Sequence, residues 1–203
     1  MPVPIDRAKR REPEPIDPPV LHTGVWMLRP IVAADDCFIL EAMSDPGMQH
    51  VRSTEPPGDV AAARDWVEQA IHNTRAGSSV TWIVTRREEG GTPLGLLVLQ
   101  EIDHRHGVAE AGYYMSPAAR RRGGASAALA AVARWALTDL GLWRVQLFHD
   151  VDNEASCRVA AAAGFAPEGV LRSSRRCVDG SRVDEEVHAL VRDELAAEDR
   201  RWN

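Results

Sequence analysis

Residues 117–126 have the sequence Pro-Ala-Ala-Arg-Arg-Arg-Gly-Gly-Ala-Ser, and this stretch decides how the rest of the chain is interpreted. It lies between a predicted strand, residues 108–115, and a predicted helix, residues 123–140. The first turn of a helix leaves N–H groups unpaired, and the helix dipole favours negative charge there. The two glycines and the following alanine leave the backbone open to a phosphate. The three arginines attract anions, although a solvated basic turn is their alternative interpretation.

Outward from this turn, apolar periodicity divides the chain into short elements. Strands are predicted at 25–28, 80–85, 94–102, 108–115, 144–148, 165–171 and 185–191, and helices at 35–44, 59–76, 123–140 and 153–163. The three strands from residue 80 to residue 115 are separated only by turns, which excludes a doubly wound parallel sheet. The order therefore predicts a mixed sheet with helices packed on it, in the α/β or α+β class.

The composition of the chain argues against some classes of binding partner. The 203 residues include 24 basic and 30 acidic side chains, for a net charge of −6. That balance argues against nucleic acid or an anionic membrane as the main partner. There is no apolar stretch of membrane-spanning length, and the three cysteines have no disulfide or metal-ligand spacing. A cytoplasmic protein with reduced thiols is expected.

The N-terminal residues differ from the remainder. Residues 1–19 hold six of the 13 prolines and show no apolar period. They are predicted to be a disordered arm, with a packing or dimerising arm as the alternative. Residues 20–203 are predicted to form a single domain. Whether the protein is a monomer or a homodimer stays open.

Three motifs together carry a family resemblance. The basic turn contains Arg120-x-x-Gly123-x-Ala125, and the strand before it reads Ala-Glu-Ala-Gly-Tyr-Tyr-Met over residues 109–115. Downstream, Asn153-x-x-Ser156 is followed by Gly164-Phe165. This pattern, with Leu-Arg-Pro at residues 28–30, resembles the GNAT superfamily of acyl-CoA-dependent N-acyltransferases. It is most similar to the branch that includes the ribosomal-protein N-terminal (alanine) acetyltransferases, and the likeness covers about residues 20–192.

The resemblance implies a fold and a cosubstrate. The sheet would be mixed, mostly antiparallel and splayed around the acyl-CoA site, with helices on both faces. Acetyl-CoA is the expected acyl donor. Backbone groups at Met115 would bind its pantetheine, and the turn would bind its pyrophosphate. The implied cofactor-binding residues are Met115, Arg120, Arg121, Arg122, Gly123, Gly124, Ala125, Ser126 and Asn153.

Two residues are candidates for the proton transfers of acyl transfer. Glu110 lies where this branch often has a carboxylate, and it is the candidate base that deprotonates the amine, directly or through a water. An exposed glutamate in a surface ion pair is the alternative. Many family members place a tyrosine seven residues after the asparagine as the acid for the thiolate, and this chain has Ala160 there. Ser156 is the candidate substitute, with helix capping as its alternative role, and no covalent role is expected for Cys157.

The acceptor is expected to be a primary amine, either a protein N-terminus or a small cationic molecule. This expectation rests on the acidic residues Asp45, Glu55, Asp59, Glu101, Asp103 and Glu110 near the predicted cleft. His104, His106 and His149 lack metal-ligand spacing and are interpreted as solvated turn residues, so no metal is predicted. A succinyl-CoA-dependent transferase and a non-catalytic acyl-CoA-binding module are the alternatives, and the missing tyrosine favours the latter.

Overall fold

A computed structural model of the chain describes residues 15–48, 55–87 and 91–195. Its strands form one eight-stranded sheet in the order β1-β2-β3-β4-β5-β6-β8-β7. The strands are β1 (Leu21–Thr23), β2 (Trp26–Pro30), β3 (Val80–Arg86), β4 (Gly95–Asp103), β5 (Val108–Met115), β6 (Arg144–Asp150), β7 (Ala166–Arg176) and β8 (Arg182–Val191). Among the strands of the described residues, β5 and β6 are the one pair that runs in parallel. The predicted mixed, mostly antiparallel sheet is therefore confirmed.

Four α-helices cover the two faces of this sheet. They are α1 (Asp36–Ser44), α2 (Val60–Arg75), α3 (Gly124–Thr138) and α4 (Glu154–Ala162). Helices α3 and α4 pack on the face that carries the larger apolar core, and α1 and α2 pack on the opposite face. Apolar side chains that alternate along the strands supply both cores. None of the helices in the described ranges is long and apolar enough to cross a membrane.

Local sequence signals account for where the helices begin and end. The Asp59 carboxylate accepts a hydrogen bond of 2.9 Å from the Ala62 amide, so it caps α2 as predicted. Gly141 and Gly164 follow α3 and α4 with φ of 82° and 88°, a conformation that glycine adopts without strain. Arg29 of the Leu-Arg-Pro motif donates two hydrogen bonds to the buried Asp35 carboxylate, at 2.8 and 2.6 Å. That ion pair joins the end of β2 to the start of α1.

The structure differs from the sequence-based expectation at several element boundaries. Strand β1 was not predicted, because three residues are too few to show a period. Strand β6 extends two residues beyond the prediction, to Asp150, which places His149 inside the sheet. Strands β7 and β8 also run toward each other further than expected, through Arg176 and Arg182. Residues of this longer hairpin line the cavity at the candidate active site.

Part of the predicted N-terminal arm is attached to the core. Residues 1–14 lie outside the described residues. Of the remainder, Ile16 donates its amide hydrogen to the Thr74 carbonyl at 3.2 Å and packs against the larger core. The Pro19 carbonyl accepts a hydrogen bond of 3.0 Å from the buried Trp82 indole. Residues 15–19 therefore contact the folded domain.

Candidate active site

Strands β5 and β6 separate part-way along their length and open a gap in the sheet. They pair in parallel only where Val108–Glu110 meets Arg144–Gln146, and no pairing between them continues beyond Glu110 in the described chain. A bulge lies beside this point in β4, where the register shifts between Gln100 and Asp103. The family resemblance implied such a gap, and the structure locates the bulge in β4, the neighbour of β5.

The open edge of β5 presents backbone groups to this gap. The Ser116 amide donates to the Leu94 carbonyl of the β4 side at 2.9 Å. Because antiparallel pairing alternates along a strand, the backbone groups of Met115 and Tyr113 point the other way, into the gap. The Met115 carbonyl accepts a hydrogen bond of 2.9 Å from Arg120 Nε. The Met115 amide is thus the backbone donor at the end of this edge.

The predicted anion-binding turn has a backbone suited to that role. Arg121 and Gly123 have φ of 62° and 76°, in the left-handed region, and they flank Arg122. Alternation of this kind aims successive N–H groups at one point and forms a concave anion site. Gly123 is the N-cap of α3, and the Ala127 amide closes the first helical turn on its carbonyl. The preceding amides of the helix therefore face outward.

Gly124 lets the turn approach the sheet closely. A Cβ atom at this position would lie 2.8 Å from Met115 Cε and 3.0 Å from the Trp26 ring. A larger residue would require the tip of Met115 and the Trp26 ring to shift, so glycine fits against these two residues without any rearrangement. The close packing sets the start of α3 directly beside the open edge of β5.

Arg120, one of the predicted cofactor-binding residues, also has partners within the protein. Its guanidinium forms an ion pair with Asp45 and donates to the Met115 carbonyl, and it lies over the Tyr114 ring with 5.8 Å to the centroid. The Tyr114 hydroxyl also donates to Asp45, at 3.0 Å. Arg120 therefore joins the end of α1 to the end of β5, and its side chain is partly exposed. Arg121 and Arg122 are exposed and remain available to phosphate.

The start of α4 faces the gap from the β6 side. The Asn153 side chain accepts a hydrogen bond of 3.1 Å from the Ser156 amide and caps the helix. Capping therefore belongs to Asn153, and the Ser156 hydroxyl is left for another role. Ala160 is completely buried in the larger core. The position of the usual tyrosine is thus a packing position in this chain.

Tyr113 is the residue near this helix that sequence reasoning missed. Burial raises the pKa of its phenol, and the nearby Ser156 hydroxyl opposes part of that rise. The two oxygens do not reach hydrogen-bonding geometry, and the buried Tyr113 hydroxyl has no partner among the described residues. A raised pKa keeps the phenol protonated, so it is a hydrogen-bond donor beside Ser156 at the start of α4. The sequence pointed to Tyr113 only through its position two residues before Met115.

Glu110 lies on the opposite face of the sheet, in the wall of a cavity. The cavity measures about 750 Å³, and its lining residues are Glu55, Glu110, Phe148, Leu171, Ser174, Arg175, Arg176, Cys177, Val178 and Glu185. Burial raises the Glu110 pKa, a hydrogen bond of 2.9 Å from Gln100 lowers it, and the charges of Glu101 and Glu185 raise it further. The net direction is upward, as expected for a buried base.

Three of the six acidic residues predicted near the cleft have structural roles. Asp45 binds Arg120, Asp59 caps α2, and Asp103 accepts hydrogen bonds from the turn that contains His106. The cavity instead takes its charges from Glu55, Glu110 and the β7–β8 hairpin. Within that hairpin Arg175 forms ion pairs with Asp150 and Glu185. Arg175 was not among the residues that the sequence singled out.

These features can be compared with known proteins. The family model described as an acetyltransferase (GNAT) domain matches residues 26–166. The chain belongs to the GNAT acetyltransferases. As a GNAT enzyme it is an acyl-CoA-dependent N-acetyltransferase, and the non-catalytic module considered from the sequence is set aside.

Individual relatives agree with this assignment. The GNAT chain is 28% identical over 176 residues to the N-acetyltransferase YoaA of Bacillus subtilis, covering 86% of this chain and 97% of that one. It is 27% identical over 144 residues to the spermidine N(1)-acetyltransferase of Escherichia coli, with 71% and 74% covered. Its fold matches that of Mycobacterium smegmatis RimJ in complex with CoA-disulfide, with a TM-score of 0.73, 24% identity and coverage of 87% and 88%.

Proposed function

We propose that this GNAT enzyme transfers the acetyl group of acetyl-CoA directly to a primary amine that enters the cavity beside Glu110. The observation that carries the proposal is the position of Glu110, half-buried where β5 and β6 separate and lining that cavity. From there its carboxylate has access to both the gap and the cavity. A protein N-terminus and a small cationic amine are the two acceptor classes to test.

The donor would be held by the elements around the gap. The turn from Arg121 to Ser126 supplies backbone N–H groups and two exposed arginines for the pyrophosphate. The open edge of β5 at Tyr113 and Met115 supplies backbone groups for the pantetheine arm, which would add to the sheet like a strand. The Asn153 amide nitrogen is free to donate to the same arm, because only its oxygen is used in the cap.

The chemistry requires a primary ammonium to lose two protons, one before the nitrogen attacks and one after the C–N bond has formed, and it requires one group to stabilise the thiolate. Glu110 accepts the ammonium proton, directly or through a water, and the freed nitrogen attacks the thioester carbonyl. The Met115 amide donates to the carbonyl oxygen as negative charge develops there. The C–N bond forms as the C–S bond breaks, the nitrogen releases its second proton to solvent, and the departing thiolate receives a hydrogen bond from Tyr113. Ser156 then supports Tyr113 and does not act as the acid by itself.

The test is CoA release measured with acetyl-CoA and succinyl-CoA against spermidine and an alanine-initiated peptide. Glu110→Gln should lower kcat/KM for the preferred amine by about 10² to 10⁴, because a positioned base contributes that much. Glu68→Gln, the same change on an exposed part of α2, is the matched control and should leave kcat/KM unchanged. A Glu110→Gln enzyme with parental kcat/KM would contradict the assignment.

The pH dependence provides a second readout with a definite sign. A base works when deprotonated, so kcat/KM of the parent should rise with pH through the Glu110 pKa, which lies above the ordinary carboxyl value. Glu110→Gln should lose that limb. The Glu110 pKa is raised in the folded protein, so ionisation of this carboxyl destabilises the folded state as pH rises toward that raised pKa. Glutamine does not ionise, so the Tm of Glu110→Gln should exceed the parental Tm by an increasing margin over the same pH range. A higher Tm together with lower activity would separate loss of the base from misfolding.

A further inference from the structure

Four potential metal ligands converge on the face of the sheet opposite the Glu110 cavity. They are His149 on β6, Cys157 on α4, and Glu186 and His188 on β8, and one ligand atom from each lies within 4.8 Å of every other. The strand register sets His149 directly opposite Glu186, and His188 is two residues further along the same face. Helix α4 packs over this face and brings Cys157 to it.

The two histidines are buried without hydrogen-bond partners on the nitrogens that face the cluster. His149 is 5% exposed and His188 is 1% exposed. His149 Nε2 and both ring nitrogens of His188 are buried and have no hydrogen bond within the described part of the chain. Buried polar atoms are nearly always paired, so several unpaired nitrogens at one point indicate a missing ligand. The expectation that His149 is a solvated turn residue is therefore wrong.

The histidine tautomer and the spacing both suit a metal ion. His149 Nδ1 lies 2.9 Å from the Asp150 carbonyl, so this nitrogen carries the proton and Nε2 presents its lone pair to the cluster. Glu186 Oε2 lies 3.8 Å from His149 Nε2, and the other carboxylate oxygen, Oε1, lies 3.6 Å from His188 Nε2. These distances are too long for hydrogen bonds and match the separation of about 3.3 to 3.8 Å between ligands of tetrahedral zinc.

We propose that His149, Cys157, Glu186 and His188 form a structural Zn²⁺ site. Two imidazoles, a thiolate and a carboxylate are the donor set that zinc prefers, and four protein ligands leave no open position for catalysis. Binding converts the Cys157 thiol to a thiolate and releases its proton to solvent. Because Cys157 and Glu186 are only partly buried, the ion has a route of entry from the surface.

The site would hold the two sides of the active site together. Three of the four ligands adjoin a residue of the proposed acetyl-transfer site: His149 follows Phe148 and Glu186 follows Glu185, which both line the cavity, and Cys157 follows Ser156, which lies near Tyr113. Adjacent residues on a strand point to opposite faces. A zinc ion would thus join β6, β8 and α4 behind the cavity without touching either substrate. The proposal does not depend on which amine is acetylated.

Metal content and thermal stability test the site directly. Protein purified without a histidine tag and without CoA should contain about one zinc per chain by mass spectrometry. Removing the zinc with a chelator should lower Tm by about 5 °C or more, and adding Zn²⁺ should restore it. Parental protein that contains less than a tenth of an equivalent, and whose Tm does not respond to Zn²⁺, would overturn the proposal.

Variants distinguish this site from surface binding. Cys157→Ser and His149→Gln should weaken Zn²⁺ affinity by at least about 100-fold, because each removes a ligand. Cys37→Ser and His106→Gln change exposed residues of the same types and should bind as the parent does. With Co²⁺ in place of Zn²⁺, the parent should show visible bands and a thiolate charge-transfer band. Cys157→Ser should lose the latter even if His149→Gln folds poorly, and equal binding by all four variants would exclude the site.

Discussion

At the scale of single residues, the side chains of the candidate active site differ in whether another residue of the protein binds them. Arg120, which sequence reasoning assigned to phosphate, forms an ion pair with Asp45 and donates to the Met115 carbonyl. Tyr113, which it did not assign, is a buried phenol with no partner among the described residues. Sequence alone cannot separate these cases, because partners such as Asp45 are distant in the chain and are joined only by the fold.

Tyr113 and Ser156 give a prediction at this scale. Tyr113→Phe removes only the hydroxyl, so it should lower kcat by about tenfold and leave acetyl-CoA binding unchanged, which is the loss expected for one hydrogen bond to a charged group. Ser156→Ala should cost less, because Ser156 acts through Tyr113. Single-turnover kinetics and CoA titration measure the two quantities. A larger loss of kcat in Ser156→Ala than in Tyr113→Phe would reverse the assignment and restore Ser156 as the donor.

At the scale of elements, local sequence signals were sufficient to predict the helices. They were insufficient to predict which residues the pairing of the strands brings together. Helix α2 was located by its apolar period and its Asp59 cap, both of which lie within a few residues. The gap between β5 and β6 depends on pairings across 36 residues of chain, and only the family resemblance pointed to it. The cluster of His149, Cys157, Glu186 and His188 has no such motif and emerged only from the sheet register and the packing of α4.

The turn before α3 gives the prediction for this scale. Gly123 is exposed with φ of 76°, and a side chain there would meet nothing within 4 Å, so charge and backbone strain can be separated by substitution. Gly123→Asn and Gly123→Asp have nearly the same shape, and both residues tolerate the left-handed region better than most. Asn should retain most of the acetyl-CoA affinity, whereas Asp should lose at least about tenfold more, because its carboxylate opposes the phosphates.

Calorimetric titration with CoA measures this difference, and Tm measured in parallel shows that the two variants are equally folded. The loss in Gly123→Asp should shrink as salt is added, since the charge is exposed to solvent. Equal CoA affinities for the two variants would mean that the pyrophosphate does not bind at this turn.

At the scale of the whole molecule, the N-terminal segment extends the domain beyond its first strand. The sequence places a boundary at residue 19, because proline and charge dominate up to that point. In the structure, residues 15–19 contact two separate elements. The Ile16 amide donates a hydrogen bond to a carbonyl at the end of α2, and the Pro19 carbonyl accepts a hydrogen bond from the Trp82 indole in β3. Composition could not reveal these contacts, because they use one apolar side chain and two backbone groups.

Two truncations test how much these contacts contribute. A chain that starts at residue 20 leaves the buried Trp82 indole N–H unpaired, which costs about 1 to 3 kcal/mol, and also removes the packing of Ile16. Its Tm should fall by about 4 to 10 °C. A chain that starts at residue 15 retains both contacts and should keep the parental Tm. Trp82→Phe in the full-length chain should reduce the difference between the two starting points, because no indole N–H then requires the Pro19 carbonyl. If the chain starting at residue 20 melts with the parent, the domain begins at β1, and the contacts of residues 15–19 contribute nothing to its stability.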